Sequence, residues 1–492
     1  MSKQKSTPIT STNHPDLAMT YNNIGLEHRN LGNYPEALIC HRKAREIKQQ
    51  SLSPNHPDLA MTYNNIGLAH RNLGNYPRAL IYYKKTLKIQ KPSLPHNHPD
   101  LAMTYNNIGI VHRNRCDYPK ALSYHKKALK IQKPSLPPNH RDLASSYNNI
   151  GAVYYSMRNY PKALSYYNKS LEIWQKSLPH NHPDLAMIYN NIGLVHRNLD
   201  DYPKALSYYK ITLEIQKSSL RLNHPNLAVS YSNIGAAHYN MRNYREALSY
   251  YNKSLEIRQK SLSLDHPDLA MTYNHIGLVH YNMRNYSKAL FYYRKSLEIR
   301  QKSDPRNHRD VAVFYNNIGL VHDSMKNYAE ALSSHEKALL LRQKLLPPNY
   351  SDLAMSYNNV GLAHRNLDDY PRALSSHEEA LKTQKLSLPH NHFDFAMTYN
   401  NIGIVHRNLG DYSKALSYHK KALRIQKLSF FPNHRDLAGS YNNIGAVHCG
   451  MRNYPKARTF YEHAIQIAQQ SLPANHPNLQ KYTNNFESIK NK

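Results

Sequence analysis

Between residues 17 and 28, apolar and aromatic side chains recur at Leu17, Tyr21, Ile24 and His28. A spacing of i, i+4, i+7, i+11 keeps one stripe on one side of an α-helix. Asn13, Pro15 and Asp16 predict its start, since Asn caps free N–H groups, Pro is tolerated in the first turn and Asp suits the positive end of the dipole. Asn30-Leu31-Gly32-Asn33 predicts a turn, and Pro35 opens a second helix. The inner stripe of that helix is Ala37, Leu38, His41, Ala44 and Ile47, and Ser51 to Pro54 end it.

The pattern then starts again. His14-Pro15-Asp16-Leu17 returns as His56-Pro57-Asp58-Leu59 and as His98-Pro99-Asp100-Leu101, and every later step is 42 residues. Eleven repeats fill residues 14–475, and 476–492 read as one more first-type helix. Its apolar side is Leu479, Tyr482, Phe486 and Ile489, and its polar remainder suits a C-terminal cap. Residues 1–13 are expected to be disordered.

Two small residues recur without exception: glycine from Gly25 to Gly445, and alanine from Ala37 to Ala457. Gly inside a helix costs roughly 1 kcal/mol relative to Ala, so eleven of them imply close packing, expected here as an approach of two backbones. The tyrosines from Tyr34 to Tyr454 precede the second helix and are expected to cover the seam.

Tyr21-x-x-Ile24-Gly25-x-x-His28, followed by Ala37 and Ala44, resembles the tetratricopeptide-repeat pattern. The long period, the His-Pro-Asp-Leu-Ala opening and the Tyr-Asn-Asn-Ile-Gly core resemble the kinesin-light-chain type of this repeat over residues 14–490. The resemblance implies an all-α fold, a right-handed superhelical solenoid of antiparallel helix pairs that binds peptides or protein domains on its concave face. Kinesin light chains also carry an N-terminal coiled coil that joins the motor; here 13 residues without heptads precede the first repeat, and a motor-adaptor role is not supported.

In that family the first-helix face lines the groove. In the first repeat this face carries Met19, Asn22, Asn23, Leu26, Arg29 and Asn30. Down the array it gives an asparagine ladder of Asn22, Asn64, Asn106, Asn148, Asn190, Asn274, Asn316, Asn358, Asn400 and Asn442, interrupted by Ser232. A cationic ladder of Arg29, Arg71, Arg113, Arg197, Arg365 and Arg407 runs beside it. The second column changes to Tyr155, Tyr239, Tyr281 and Asp323 in the middle and ends in Cys449. Asn offers a donor and an acceptor to an extended backbone, and Arg a planar fork to carboxylates. The expected groove is basic at its ends and more aromatic at its centre.

Charge sharpens the partner. The chain has 64 Lys and Arg against 33 Asp and Glu, a net charge of +31 spread along its length. That favours acidic protein or peptide partners, with nucleic acid, RNA included, as second choice. No apolar window is long enough to span a membrane, and Cys40, Cys116 and Cys449 are too few for a disulfide framework or a zinc site. The N-terminus has no secretory pattern, so a cytoplasmic protein is expected. The 31 histidines lie mostly in columns a whole repeat apart, which suits core or seam positions better than metal ligands. Buried and neutral, they are expected to lower stability on acidification. No catalytic constellation or phosphate loop stands out, so neither a cofactor nor an enzymatic reaction is expected.

Overall fold

The structure is a computed structural model that describes residues 15–303, 308–345, 349–389, 392–429, 434–490 and 492. The expected disordered segment, 1–13, and the expected first cap, Asn13, lie outside the described residues.

Twenty-three α-helices of two alternating types lie among the described residues. Those of the first type are α1 (Pro15–Asn30), α3 (Pro57–Asn72), α5 (Pro99–Asn114), α7 (Arg141–Ser156), α9 (Pro183–Asn198) and α11 (Pro225–Asn240). The series continues with α13 (Pro267–Asn282), α15 (His308–Ser324), α17 (Tyr350–Asn366), α19 (Asp394–Asn408), α21 (Arg435–Gly450) and α23 (Pro477–Glu487). The second type comprises α2 (Tyr34–Ser51), α4 (Tyr76–Ser93), α6 (Tyr118–Ser135), α8 (Tyr160–Ser177), α10 (Tyr202–Ser219) and α12 (Tyr244–Ser261). It ends with α14 (Tyr286–Ser303), α16 (Tyr328–Gln343), α18 (Tyr370–Lys385), α20 (Tyr412–Ser429) and α22 (Tyr454–Ser471). The chain divides into two compact units, Met1–Tyr250 and Tyr251–Lys492, each built of such helix pairs.

The helix starts differ from expectation in one respect. Most first-type helices are capped by the histidine, not the asparagine: His56 Nδ1 accepts from Asp58 N at 3.2 Å, and His98, His140, His182, His224 and His266 do the same. The histidine backbone is extended, which points the imidazole back at the free N–H groups, and proline follows it in most of these helices, Arg141 in α7. Asn349 caps α17 in the ninth repeat, where Tyr350 replaces the histidine.

The turn between the two helices is the same in every repeat. Asn33 N donates to His28 O and Gly32 N to Arg29 O, the two bonds of a Schellman motif, with Gly32 at φ +79°. Eight of the equivalent positions hold a side chain at positive φ: Cys116, Arg158, Asp200, Arg242, Arg284, Lys326, Asp368 and Arg452.

Stacking supplies the core. In the first unit Leu38 of α2 packs on Ile66 and Ala69 of α3, and Tyr83 and Leu87 of α4 pack on Leu101, Ile108 and Val111 of α5. The single tryptophan, Trp174 of α8, is buried against Leu185 and Ile188 of α9. In the second unit Leu290 and Tyr293 of α14 meet Ile318 and Val321 of α15, and Leu423 of α20 meets Leu437 and Ile444 of α21. Each such side chain contributes about 1.5–3 kcal/mol when fully buried, and that burial exists only between neighbours. Polar staples cross the same joints. Thr104 and Ser146 donate to Gln90 and Gln132 of the preceding repeats at 2.8 and 2.5 Å, and Arg342 donates to Ser356 at 2.6 Å.

Candidate functional site

The invariant glycine explains the geometry of the first-helix face. A Cβ at Gly25 would lie 2.7 Å from the His41 ring, and at Gly67 2.8 Å from the Tyr83 ring. Gly109, Gly151, Gly193, Gly277, Gly319, Gly361, Gly403 and Gly445 each meet the His or Tyr of their own second helix at 2.5–2.8 Å. The close approach is therefore backbone against an aromatic ring, not backbone against backbone as expected. Among these rings, His41, His125, His377 and His419 turn Nδ1 to the asparagine column.

That column is more interior than its helical position implies. Asn22, Asn64, Asn106, Asn274, Asn316, Asn358 and Asn442 are buried, while Asn148, Asn190 and Asn400 are half-buried. Each has at least one amide atom engaged inside the array, in one of two ways. Where the second helix offers histidine, its Nδ1–H donates to the asparagine carbonyl: His41 to Asn22 at 3.0 Å, His125 to Asn106 at 2.8 Å, His377 to Asn358 and His419 to Asn400 at 2.9 Å. Where it offers tyrosine, the next repeat's second asparagine donates instead: Asn107 to Asn64, Asn191 to Asn148, Asn233 to Asn190, Asn317 to Asn274 and Asn485 to Asn442. The eighth repeat departs from this for a visible reason. Asp323 takes His335 Nε2 at 3.0 Å, and Asn359 then serves Asn316.

Sequence reasoning passed over the neighbouring column, Asn23 to Asn485, although it is asparagine in every repeat but the one with His275. The exchange above decides its availability. In histidine repeats the following asparagine is released: Asn65, Asn149, Asn401 and Asn443 make no side-chain hydrogen bond within the described residues and stay partly exposed. Met19, Met61, Met103, Met187, Met271, Met355 and Met397, on the same face, are all exposed.

Arg29, Arg71, Arg113, Arg197, Arg365 and Arg407 are half-buried on this face. Arg71, Arg113, Arg365 and Arg407 each donate to the asparagine that follows, at 3.1–3.5 Å. Burial pulls Arg113 and Arg365 below the ordinary arginine range, and the neighbouring Arg71 and Arg407 charges add to it. Among the tyrosines in this column, Tyr155 accepts from Asn198 at 2.9 Å and stands 5.9 Å from Tyr160. Tyr239 lies 5.8 Å from Tyr244, and Tyr281 lies 6.0 Å from Tyr286. The tyrosines that open the second helix thus meet this column.

Cavities open between consecutive first-type helices. One of about 230 Å³ lies between α5 and α7 and is lined by Met103, Asn106, Asn107, Ile110 and Asn149. Another, of about 540 Å³, is lined by Met397, Asn400, Asn401, Ile404, Asn443 and Tyr482. The histidines form seam contacts instead: His70, His112, His196, His238, His280, His406 and His448 stack on a second-helix ring at 5.4–5.6 Å. Burial, with a contribution from Arg29, lowers His41 to about 4. His125, His377 and His419 are lowered to about 3, again mainly by burial.

Helix pairs stacked at a fixed period, each incomplete without its neighbour, define an all-α repeat solenoid. The tetratricopeptide-repeat signature matches residues 16–92, 70–134, 100–176, 142–218, 184–260, 226–302, 310–385 and 394–479, and the chain belongs to that family. No curated protein sequence matches the chain. Among solved structures, the apo form of RapI is similar, with a TM-score of 0.53 at 20% identity over 75% of this chain and 98% of its own. BtubC (BKLC) from P. vanneervenii aligns over 46% of this chain and 91% of its own at 22% identity, TM-score 0.43. A protein from Podosopora anserina described as a kinesin light chain of nearly identical TPR-like repeats aligns over 42% and 98% at 16% identity, TM-score 0.38. Among the described residues no helix is long and apolar enough to cross a membrane.

Proposed function

We propose that the chain is a protein-interaction scaffold whose first-helix face holds extended, acidic segments of partner proteins. The observation that carries this is that, within each unit, a cavity opens between consecutive first-type helices, lined by exposed methionines and by asparagines. Methionine adapts to varied apolar side chains, the released amides suit an extended backbone, and the arginines select carboxylates. The asparagine ladder frames this surface, and its contact atoms belong to the released neighbours. Much of the second-helix lysine charge is engaged elsewhere: Lys43, Lys85, Lys127 and Lys295 lie over tyrosine or phenylalanine rings at 4.6–5.5 Å.

Affinity capture from cell lysate on the purified chain, with and without nuclease, tests this. The expected result is a small set of proteins sharing an acidic segment that survives nuclease and is weakened about tenfold by Arg71→Ala with Arg113→Ala. A bound set that vanishes with the nucleic acid assigns the basic charge to nucleic-acid binding and removes the proposal.

A further inference from the structure

In the second unit a cavity of about 400 Å³ is lined by Arg365 and Arg407, by Lys481 of α23, by Asn408 and Asn443, and by Tyr461. No carboxylate lines it. Arg365 is pressed by the Arg407 charge, and this is partly offset by Asp323, whose Oδ2 is bound by His335. Burial raises Tyr461 to about 12, so its phenol stays protonated beside Arg407. Asn443 is one of the amides that the histidine of the preceding repeat, His419, releases.

Adjacent arginines are not a general feature of the array. The column pairs them only at Arg29-Arg71-Arg113 and at Arg365-Arg407. Seven repeats before the cavity, the same register holds Arg71, Arg113, Asn114, Asn149 and Tyr167, with Met187 in place of Lys481. In this register the second unit has Lys481 where the first has Met187, and Asp323 where the first has Arg29.

We propose that this cavity binds a phosphomonoester dianion, supplied either by a phosphorylated serine or threonine in the groove segment or by inorganic phosphate. The peptide form rests on the groove reading above. A phosphomonoester carries a charge of about −1.5 to −2 and three strong acceptor oxygens, against one charge on a carboxylate. Two guanidinium forks, an ammonium and an amide without an intramolecular acceptor match that demand.

The test is fluorescence anisotropy on the full chain. It uses a labelled peptide with uncharged flanks and a central serine, phosphoserine or glutamate, with inorganic phosphate as competitor. The phosphoserine peptide is expected to bind at least about tenfold tighter than the glutamate one, and phosphate to displace it. Lys481→Met, which installs the first unit's residue at an exposed position, is expected to cost about tenfold, while Lys382→Met on α18 leaves binding unchanged. Arg407→Lys is expected to retain part of the affinity that Arg407→Gln loses. Equal binding of the glutamate and phosphoserine peptides, or indifference to Lys481→Met, overturns the dianion site while leaving the groove reading standing. Phosphate binding that needs Lys481, with no peptide bound at all, upholds the site and removes the groove reading.

Discussion

One ring per repeat governs the polar interior. A histidine at this position satisfies the asparagine beside it and frees the next repeat's amide, whereas a tyrosine leaves the asparagine to be served from that next repeat. The two solutions respond differently to acid. His125 is fully buried and is lowered to about 3, so the folded chain keeps it neutral while the unfolded chain protonates it near 6.5. The stability it contributes is complete above pH 6.5 and is lost progressively as pH falls from there toward 3. At pH 5.5 the loss is about 1.4 kcal/mol per such histidine, and His377 and His419 follow the same course. Urea unfolding should therefore weaken between pH 7.5 and 5.5. His125→Tyr, the natural residue of other repeats, should remove one increment of that loss, with Asn149 taking over Asn106. An unchanged pH slope in that variant would show that the histidines titrate as freely in the fold as outside it.

At the scale of the helix, the sequence announces starts more plainly than stops. Proline and aspartate mark the first-type helices, and proline the second type, but the Schellman turn holds Arg, Lys, Asp and Cys as readily as Gly. The left-handed conformation is imposed there by the two bonds back into the helix and by the next helix starting two residues on. An L side chain in it costs roughly 1 kcal/mol. Arg158→Gly should recover up to about that amount, less the entropy glycine adds to the unfolded chain, and chemical denaturation reads the difference. A loss of stability instead would mean that the Arg158 side chain holds a contact worth more than its backbone strain.

At the scale of the whole molecule, stability is a sum over joints between neighbours. In the second unit α23 and the turn after it cover α21 and α22: Tyr482 packs on Ala438, Ala464 and Ala468, and Ile489 on Ala457 and Tyr461. Tyr482→Ala is expected to cost about 3–5 kcal/mol at this joint. Hydrogen exchange should then show α21 and α22 losing protection while α17 and α18 keep theirs. Uniform loss across these helices would mean that the unit unfolds as one cooperative body and not joint by joint.

The sequence by itself determined the period and the helix pairs, because a 3.6-residue stripe copied at a fixed interval makes each pair depend on its neighbour, while the choice of the first-helix face came from the resemblance to the tetratricopeptide repeat. It also marked the glycine as a packing position but assigned it the wrong partner, a second backbone where the fold places a His or Tyr ring. Only the tertiary structure decided which polar column turns inward. The helical stripe of Leu17, Tyr21, Ile24 and His28 leaves Asn22 and Asn23 looking alike, yet first-type helices such as α5 and α19 also contact the first-type helix of the next pair, α7 and α21. That second contact widens the buried sector past Asn22 and stops short of Asn23. Burial along a helix depends on how many neighbours it has, and no spacing within a single helix records that number.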